Sequence, residues 1–340
     1  MATDINSILS DLANNKFAPI YFLQGEEPFF IDQVSDFIEE KALEEAAKGF
    51  NQIILYGKDV SIADVINNAK RFPMMSERQV VIVKEAQNIK DLNKEAGDKI
   101  FGDYLNNPLP STILVMCHKY KKLDQRKKLG KEVAKKTVFL DTKKLYDNQV
   151  PDWIKGYVKS MGLSINEEAA YLLANFVGNN LERIANELKK IQLNLKDSKE
   201  IKAEHIHKFI GVSKEFNVFE LTNALAFKNS SKAFGIAQYF TSNPKENPVI
   251  MVIAVLFSFF SRLLLLQSLS DKSEKGISSA LRIPFFAAKE YKQAIANYPP
   301  HKLEYIIAQL RYADMQSKGI NANSLEDGEI LNELIFKILY

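Results

Sequence analysis

The chain has 340 residues, of which 46% are hydrophobic and 26% are charged, and its formal net charge is +3. This length predicts two or three domains, and the nearly balanced charge means that any contact with nucleic acid must come from a local patch. The single cysteine, Cys117, excludes an internal disulfide and a zinc site built from several cysteines.

Strands and helices alternate in the first part of the chain. Short apolar runs predict strands at Ile20–Leu23, Gln52–Tyr56, Gln79–Val83, Ser111–Cys117 and Thr137–Leu140. Helices are predicted from Phe29 to about Lys48, after a capping box formed by Ser61 and Asp64, and in a polar stretch that ends near Asn106. Alternation of this kind predicts a parallel sheet that is covered by helices on both faces.

The pattern changes near Asp141, and from Gln149 onward no strand is predicted. Four helices are predicted at Val150–Met161, Asn166–Val177, Asn180–Asn194 and Ile201–Ile210. They indicate a small helical domain that closes at Gly211–Ser213. Everything after this point is predicted to be helical, with breaks at prolines and glycines.

The segment Val249–Leu269 is almost wholly apolar and is long enough to cross a bilayer. Arg262 lies near its middle, where a charge costs roughly 2.5–3.5 kcal/mol on insertion scales. We therefore predict a helix that packs inside a helical domain, with Arg262 paired or reaching the rim. The N-terminus has neither a basic nor an apolar region, so no signal peptide is expected.

The first strand, its turn and its helix have the frame of a phosphate-binding loop without the chemistry of one. Such a loop needs a Lys and a Ser/Thr at the start of the helix. Here the turn holds Gly25 followed by Glu26 and Glu27, which would repel a triphosphate. A magnesium-holding strand end would need an acid where Lys84 stands. The two absences suggest an ATPase-like scaffold that serves another purpose.

Two methionines, Met74 and Met75, occupy the connection between a predicted helix and the strand that begins at Gln79. Methionine is adaptable and is common at interaction surfaces. From the residues alone, two interpretations are open: the pair packs under the connection into the core, or it forms a contact surface.

The segment Lys119–Lys136 is strongly basic, with nine cations against two acids, which leaves a net charge of +7. Such a patch could meet DNA phosphates and would make binding dependent on salt. A solvated helix face is the alternative. Tyr120 is the one aromatic residue in the segment, so base stacking is not expected.

No motif nominates a catalytic residue, a metal site or a cofactor site. His205 and His207 are two residues apart and therefore point to different sides of a helix. The chain has no G-x-S-x-G, H-E-x-x-H or paired-cysteine pattern. We predict no cofactor and no bound metal.

Taken together, these segments resemble the delta subunit of the bacterial DNA polymerase III clamp loader over nearly the whole chain. The similar segments are Ile20–Pro28, Arg71–Val81, Lys122–Leu129, Asn179–Lys190, Glu246–Pro248, Phe259–Leu265 and Leu281–Phe286. Their order and spacing along most of the chain carry the resemblance. The single cysteine also departs from the four-cysteine zinc module and the Ser-Arg-Cys motif of the ATPase and delta-prime subunits.

The resemblance implies an α/β plus all-α fold in three domains. An AAA+-like parallel-sheet domain with a degenerate P-loop covers residues 1–142, a small helical lid covers 143–212, and a C-terminal helical collar for oligomerisation covers 213–340. A non-catalytic subunit of this kind binds the sliding clamp and helps to open it, so that it can be loaded on primed DNA.

The resemblance also implies contacts and partners. An apolar pair that enters a pocket on the clamp falls on Met74 and Met75, although the family more often has Leu or Phe there. DNA contacts are assigned to Lys121, Lys122, Arg126, Lys127 and Lys128. The partners would be the sliding clamp (beta), the clamp-loader ATPase (gamma/tau), delta-prime and primed-template DNA, in the cytoplasm and away from membranes.

Two other functions stay open at this point. A divergent AAA+ ATPase would be stabilised by ATP. A stand-alone DNA-binding protein would bind DNA tightly through the Lys119–Lys136 segment without partners.

Overall fold

The chain divides into two units, Met1–Leu145 and Tyr146–Tyr340. The computed structural model describes residues 3–195, 198–210, 216–320 and 326–340. The boundary between the two units lies close to the predicted end of the α/β domain at residue 142. The predicted closure of the lid at Gly211–Ser213 lies outside the described residues, so the division of the second unit into lid and collar stays a prediction.

A parallel sheet forms the centre of the first unit. Its strands are β1 (Ile20–Gly25), β2 (Gln52–Tyr56), β3 (Gln79–Lys84), β4 (Thr112–Lys119) and β5 (Val138–Thr142). Their order across the sheet is β2-β3-β4-β1-β5. Each neighbouring pair is parallel, and Phe22 of β1, for example, lies beside Met116 of β4 and Phe139 of β5. The predicted strands and the predicted parallel sheet are therefore confirmed.

Helices cover both faces of this sheet. They are α1 (Ile5–Ala13), α2 (Pro28–Lys41), α3 (Glu45–Asn51), α4 (Ile62–Ala69), α5 (Glu95–Asn106) and α6 (Lys128–Lys136). Alternate residues of β1 enter different cores: Phe22 packs with side chains of α4, α5 and α6, and Leu23 packs with those of α1 and α2. This alternation follows from the period of two along a strand.

The predicted helix from Phe29 to Lys48 is wrong as a single element, because the chain turns between α2 and α3. Ala42 and Leu43 are buried at this turn, and Glu44 has an extended backbone. Burial of two apolar side chains ends the helix here, at a place without Gly or Pro. The predicted capping box at the start of α4 is confirmed: the Ser61 side chain accepts from the Asp64 N–H, and the Asp64 carboxylate accepts from the Ser61 N–H.

The second unit is mostly helical. Its helices are α7 (Val150–Ser160), α8 (Glu167–Val177), α9 (Leu181–Asn194), α10 (Ala203–Ile210), α11 (Val218–Ala226), α12 (Ser230–Ser242), α13 (Val249–Gln267), α14 (Glu274–Leu281), α15 (Phe285–Asn297), α16 (Pro300–Ser317) and α17 (Asp327–Leu339). The expectation that strands disappear is wrong at one place. β6 (Ser164–Ile165) and β7 (Glu200–Ile201) form a short parallel pair, which is too short to show a period in the sequence.

Helix α13 is the apolar segment that resembles a membrane span. Among the described residues, α13 is the one helix that is long enough and apolar enough to cross a bilayer, judged by length and composition alone. Eight of its side chains are buried, and they join a core built with α11, α12 and α15 to α17. Arg262 donates a hydrogen bond to the Tyr291 hydroxyl at 3.4 Å. This packing supports the prediction of a core helix.

Candidate functional site

The connection between α4 and β3 exposes large apolar side chains, and we call residues 71–78 the methionine loop. Phe72 is 77% exposed, Met74 is 56% exposed and Met75 is fully exposed. The interpretation that the methionine pair packs into the core is therefore wrong. Sequence reasoning did not single out Phe72 as part of this surface, nor the exposure of Phe50, which precedes Asn51 at the end of α3.

A buried amide holds the base of the methionine loop. Gln79, the first residue of β3, is almost fully buried, and its Nε2 donates to the carbonyl of Arg71 and to Thr112 Oγ1, the latter at 2.8 Å. Thr112 Oγ1 in turn donates to the carbonyl of Ala69 at 2.8 Å. Because buried polar groups are costly when they are left unpaired, this network fixes where the loop leaves α4 and enters β3.

The tip of the loop adopts a restrained backbone. Met75 has φ +52, in the left-handed region that a non-glycine residue adopts at a cost of about 1–2 kcal/mol. Asn51, at the end of α3, binds both backbone polar groups of the adjacent Met74. Near the end of the loop, the Arg78 guanidinium lies 5.2 Å from the centre of the Phe17 ring. The two methionines are thus presented by a loop that is fixed at its base and at its tip.

The turn between β1 and α2, where a phosphate-binding loop would lie, is occupied by other groups of the same chain. Glu27 caps α2, and its side chain accepts a hydrogen bond from the Phe29 N–H at 3.1 Å. The N–H groups of Glu26 and Glu27 donate to Thr142, to its carbonyl at 3.1 Å and to its Oγ1 at 3.2 Å. Gly25, at φ +134, lies so close to Thr142 that a Cβ there would collide with it. The amide groups that would cradle a phosphate already have partners.

Lysines occupy the ends of two neighbouring strands, and the first of them, Lys84, stands where a nucleotide site would hold a metal. Lys84 Nζ, at the end of β3, lies 2.9 Å from Glu39 and 3.3 Å from Asp36. Lys119 Nζ, at the end of β4, lies 2.6 Å from Asp32. Burial favours the neutral form of Lys84, but the two carboxylates outweigh it and raise its pKa. Three of the four acids of α2 are therefore paired with lysines of the same unit.

The predicted DNA-contacting residues lie on one exposed segment. Leu123, Leu129 and Val133 are buried, which turns the cations of Lys119–Lys136 outward. Lys122 pairs with Asp141 at 2.8 Å. Arg126 pairs with Asp124 at 3.0 Å, and the hydrogen bonds it donates lower the pKa of Asp124 to about 2.

The other three predicted DNA-contacting residues are not paired with an acid in this way. Lys121, Lys127 and Lys128 are exposed, and none of them makes an ion pair with a described residue. They are the cations of the predicted set that are free to meet a phosphate. The sequence placed all five cations together but could not tell which of them were already engaged.

The described residues contain no group of three or more His, Cys, Asp or Glu side chains that could hold a metal ion. Cys117 is buried, and burial raises the pKa of its thiol to about 11. His118 is also buried; burial lowers its pKa, and its Nδ1 contacts the Lys121 carbonyl at 2.9 Å. Neither residue is placed for reactive chemistry at the surface.

The sheet order, the closed phosphate loop and the helical second unit define an AAA+-like protein of the clamp-loader type. The family model described as DNA polymerase III, delta subunit matches residues 21–143, and the model of the C-terminal domain of that subunit matches residues 215–335. The chain belongs to the family of DNA polymerase III delta subunits.

Similar proteins cover most of the chain. DNA polymerase III subunit delta of Bacillus subtilis is 26% identical over 333 residues, which are 96% of this chain and 94% of that protein. The subunit of the same name from Haemophilus influenzae is 22% identical over 277 residues, or 76% of each chain. The solved structure of the Bacillus subtilis DNA clamp loader delta protein aligns with a TM-score of 0.61 at 24% identity and covers 99% of both chains, which shows a shared fold.

Proposed function

We propose that this chain binds the sliding clamp through Met74 and Met75 and opens it, so that the clamp can be loaded on primed DNA. The observation that carries the proposal is the methionine loop, which exposes both side chains although its base and tip are fixed by buried amides. Exposed apolar side chains on a restrained loop suit insertion into a pocket, because little order has to be gained on binding.

In this proposal the energy for loading comes from other subunits. The amide groups of Glu26, Glu27 and Phe29 are engaged within the chain, and Lys84 stands at the position of a metal-holding acid. These features favour a subunit without intrinsic ATPase activity. The ATPase (gamma/tau) and delta-prime subunits would assemble with it, in the cytosol.

The second unit offers a surface for that assembly. Ile250, Phe257 and Leu265 are exposed on α13 at intervals of seven and eight residues, which places them on one face of the helix. Exposed apolar faces of this kind are typical of protein–protein contacts. Lys121, Lys127 and Lys128 of the first unit would meet DNA phosphates within the assembled complex.

The proposal is tested with the purified full-length chain and the sliding clamp of the same organism. We expect a complex on size-exclusion chromatography, and we expect residues 71–78 to exchange amide hydrogen more slowly in the complex than in the free chain. A complex that leaves the exchange of the methionine loop unchanged would contradict the assigned contact, and the absence of any complex would contradict clamp binding.

A further inference from the structure

A single buried side chain holds the tip of the methionine loop. Asn51 is the last residue of α3 and is 1% exposed. Its Oδ1 accepts a hydrogen bond from the Met74 N–H at 2.6 Å, and its Nδ2 donates to the Met74 carbonyl at 2.9 Å. The same Nδ2 also donates to the carbonyl of Ala47 at 3.1 Å, which fixes the amide to its own helix. Both backbone groups of Met74 are thus bound by one rigidly held amide.

The rest of the loop tip has no comparable support. Of residues 72–77, all of which the structure describes, Met74 alone has hydrogen-bonded backbone groups, and both bonds go to Asn51. Each residue whose backbone is fixed in one conformation loses conformational entropy, and this loss must be offset by bonds such as those to Asn51. Without Asn51, the stretch from Phe72 to Glu77 would keep no backbone hydrogen bond of its own.

We propose that Asn51 is a positioning residue for clamp binding, which holds Met74 and Met75 in the conformation that enters the clamp. This inference rests on the proposed function of the methionine loop. Asn51 itself is buried and makes no contact with the clamp. It acts by lowering the order that the loop must gain when the clamp binds, so its loss weakens binding although every apolar contact side chain is still present.

The first test is the affinity of Asn51→Ala for the clamp. Asn51→Ala removes both hydrogen bonds to the Met74 backbone but leaves the methionine side chains in place, so we expect roughly two- to tenfold weaker binding. Asn14→Ala controls for the loss of an asparagine side chain at a helix end, because the exposed Asn14 follows α1 and also donates to a carbonyl four residues earlier, that of Ser10 at 2.8 Å. The control should bind the clamp as the unchanged chain does. Unchanged affinity of Asn51→Ala would overturn the inference.

A double-mutant cycle separates positioning from a general structural role. In a chain that already carries Met74→Ala and Met75→Ala, adding Asn51→Ala should weaken binding no further, because Asn51 acts through these two side chains. Additive losses would overturn the inference and leave clamp binding by the methionines in place. If Met74→Ala with Met75→Ala binds normally, the proposed function itself fails, which is a distinct outcome.

A measurement on the unchanged chain covers the case in which Asn51→Ala does not fold. The Met74 amide should exchange hydrogen more slowly than the Met75 amide in the free protein, because the first is bonded to a buried acceptor and the second is not. Exchange of the Met74 amide at the rate of an unstructured chain would show that the loop is not held, and would overturn the inference.

Discussion

Replacing Met74 and Met75 together by alanine removes the side chains that we assign to the clamp contact. Burying one methionine fully stabilises by about 1.5–3 kcal/mol. Met75 is fully exposed and Met74 is 56% exposed in the free chain. The surface that the pair can bury on the clamp therefore equals that of about one and a half methionine side chains. Ordering each flexible side chain costs up to about 2 kcal/mol, which offsets part of this gain.

With both contributions taken at the middle of their ranges, the net loss of binding free energy on truncation should be about 1.4 kcal/mol, which corresponds to roughly tenfold weaker clamp binding. The free energy of unfolding should change by less than about 0.5 kcal/mol, as is usual for surface substitutions. Burial in the core would instead predict a loss of roughly 2–5 kcal/mol of stability for each methionine.

The assay measures clamp affinity by surface plasmon resonance and unfolding by thermal denaturation on the same samples. Met251→Ala is a matched control, because Met251 is 61% exposed on α13 of the second unit. It should leave the binary affinity for the clamp unchanged. A double variant with an unchanged melting temperature and unchanged clamp affinity would refute the assignment.

Three further outcomes are expected. Calorimetry of the isolated chain with Mg-ATP should show no micromolar binding, because the loop amides already have partners; a saturable signal would contradict this. Replacing Lys121, Lys127 and Lys128 by alanine should weaken DNA binding of the assembled complex. The slope of the logarithm of DNA affinity against the logarithm of salt concentration should become shallower by up to about three. An unchanged slope would exclude these cations as contacts. Burial raises the pKa of Glu290 to about 7, so this group stabilises the fold below its unfolded pKa and loses that contribution as pH rises through 7. Glu290→Gln should therefore melt at a higher temperature than the unchanged chain at pH 8 but not at pH 5. If the variant and the unchanged chain melt at the same temperature at both pH values, the raised pKa of Glu290 is contradicted.

The sequence predicted the sheet well because each buried parallel strand is a short, continuous apolar run, such as Val80–Val83. It failed where burial of particular side chains decides the backbone. Ala42 and Leu43 end α2 because of what they pack against, which no local pattern reveals. The pair β6 and β7 is two residues long on each side, so it has no period to detect.

In the methionine loop, too, the sequence predicted the location of the feature but not the contacts that hold it. The residues of Arg71–Gln79 identified the loop through the family resemblance, but the residues alone left both interpretations open and favoured burial of the methionines. Asn51 was missed because its partner, Met74, is 23 residues away in sequence. An asparagine at the end of a helix is usually a local cap, so the signal for its longer-range role is present only in the folded chain.

The closure of the phosphate loop by Thr142 has a consequence for any attempt to introduce a nucleotide site into this chain. A lysine introduced after Gly25 would not restore a nucleotide site, because the end of β5 would still fill the cradle and Glu27 would still cap α2. Glu27 and Thr142 would also have to change, and replacing either side chain alone would remove a hydrogen bond without giving a ligand in return. A single substitution in the phosphate loop is therefore expected to remove stabilising contacts without creating nucleotide binding.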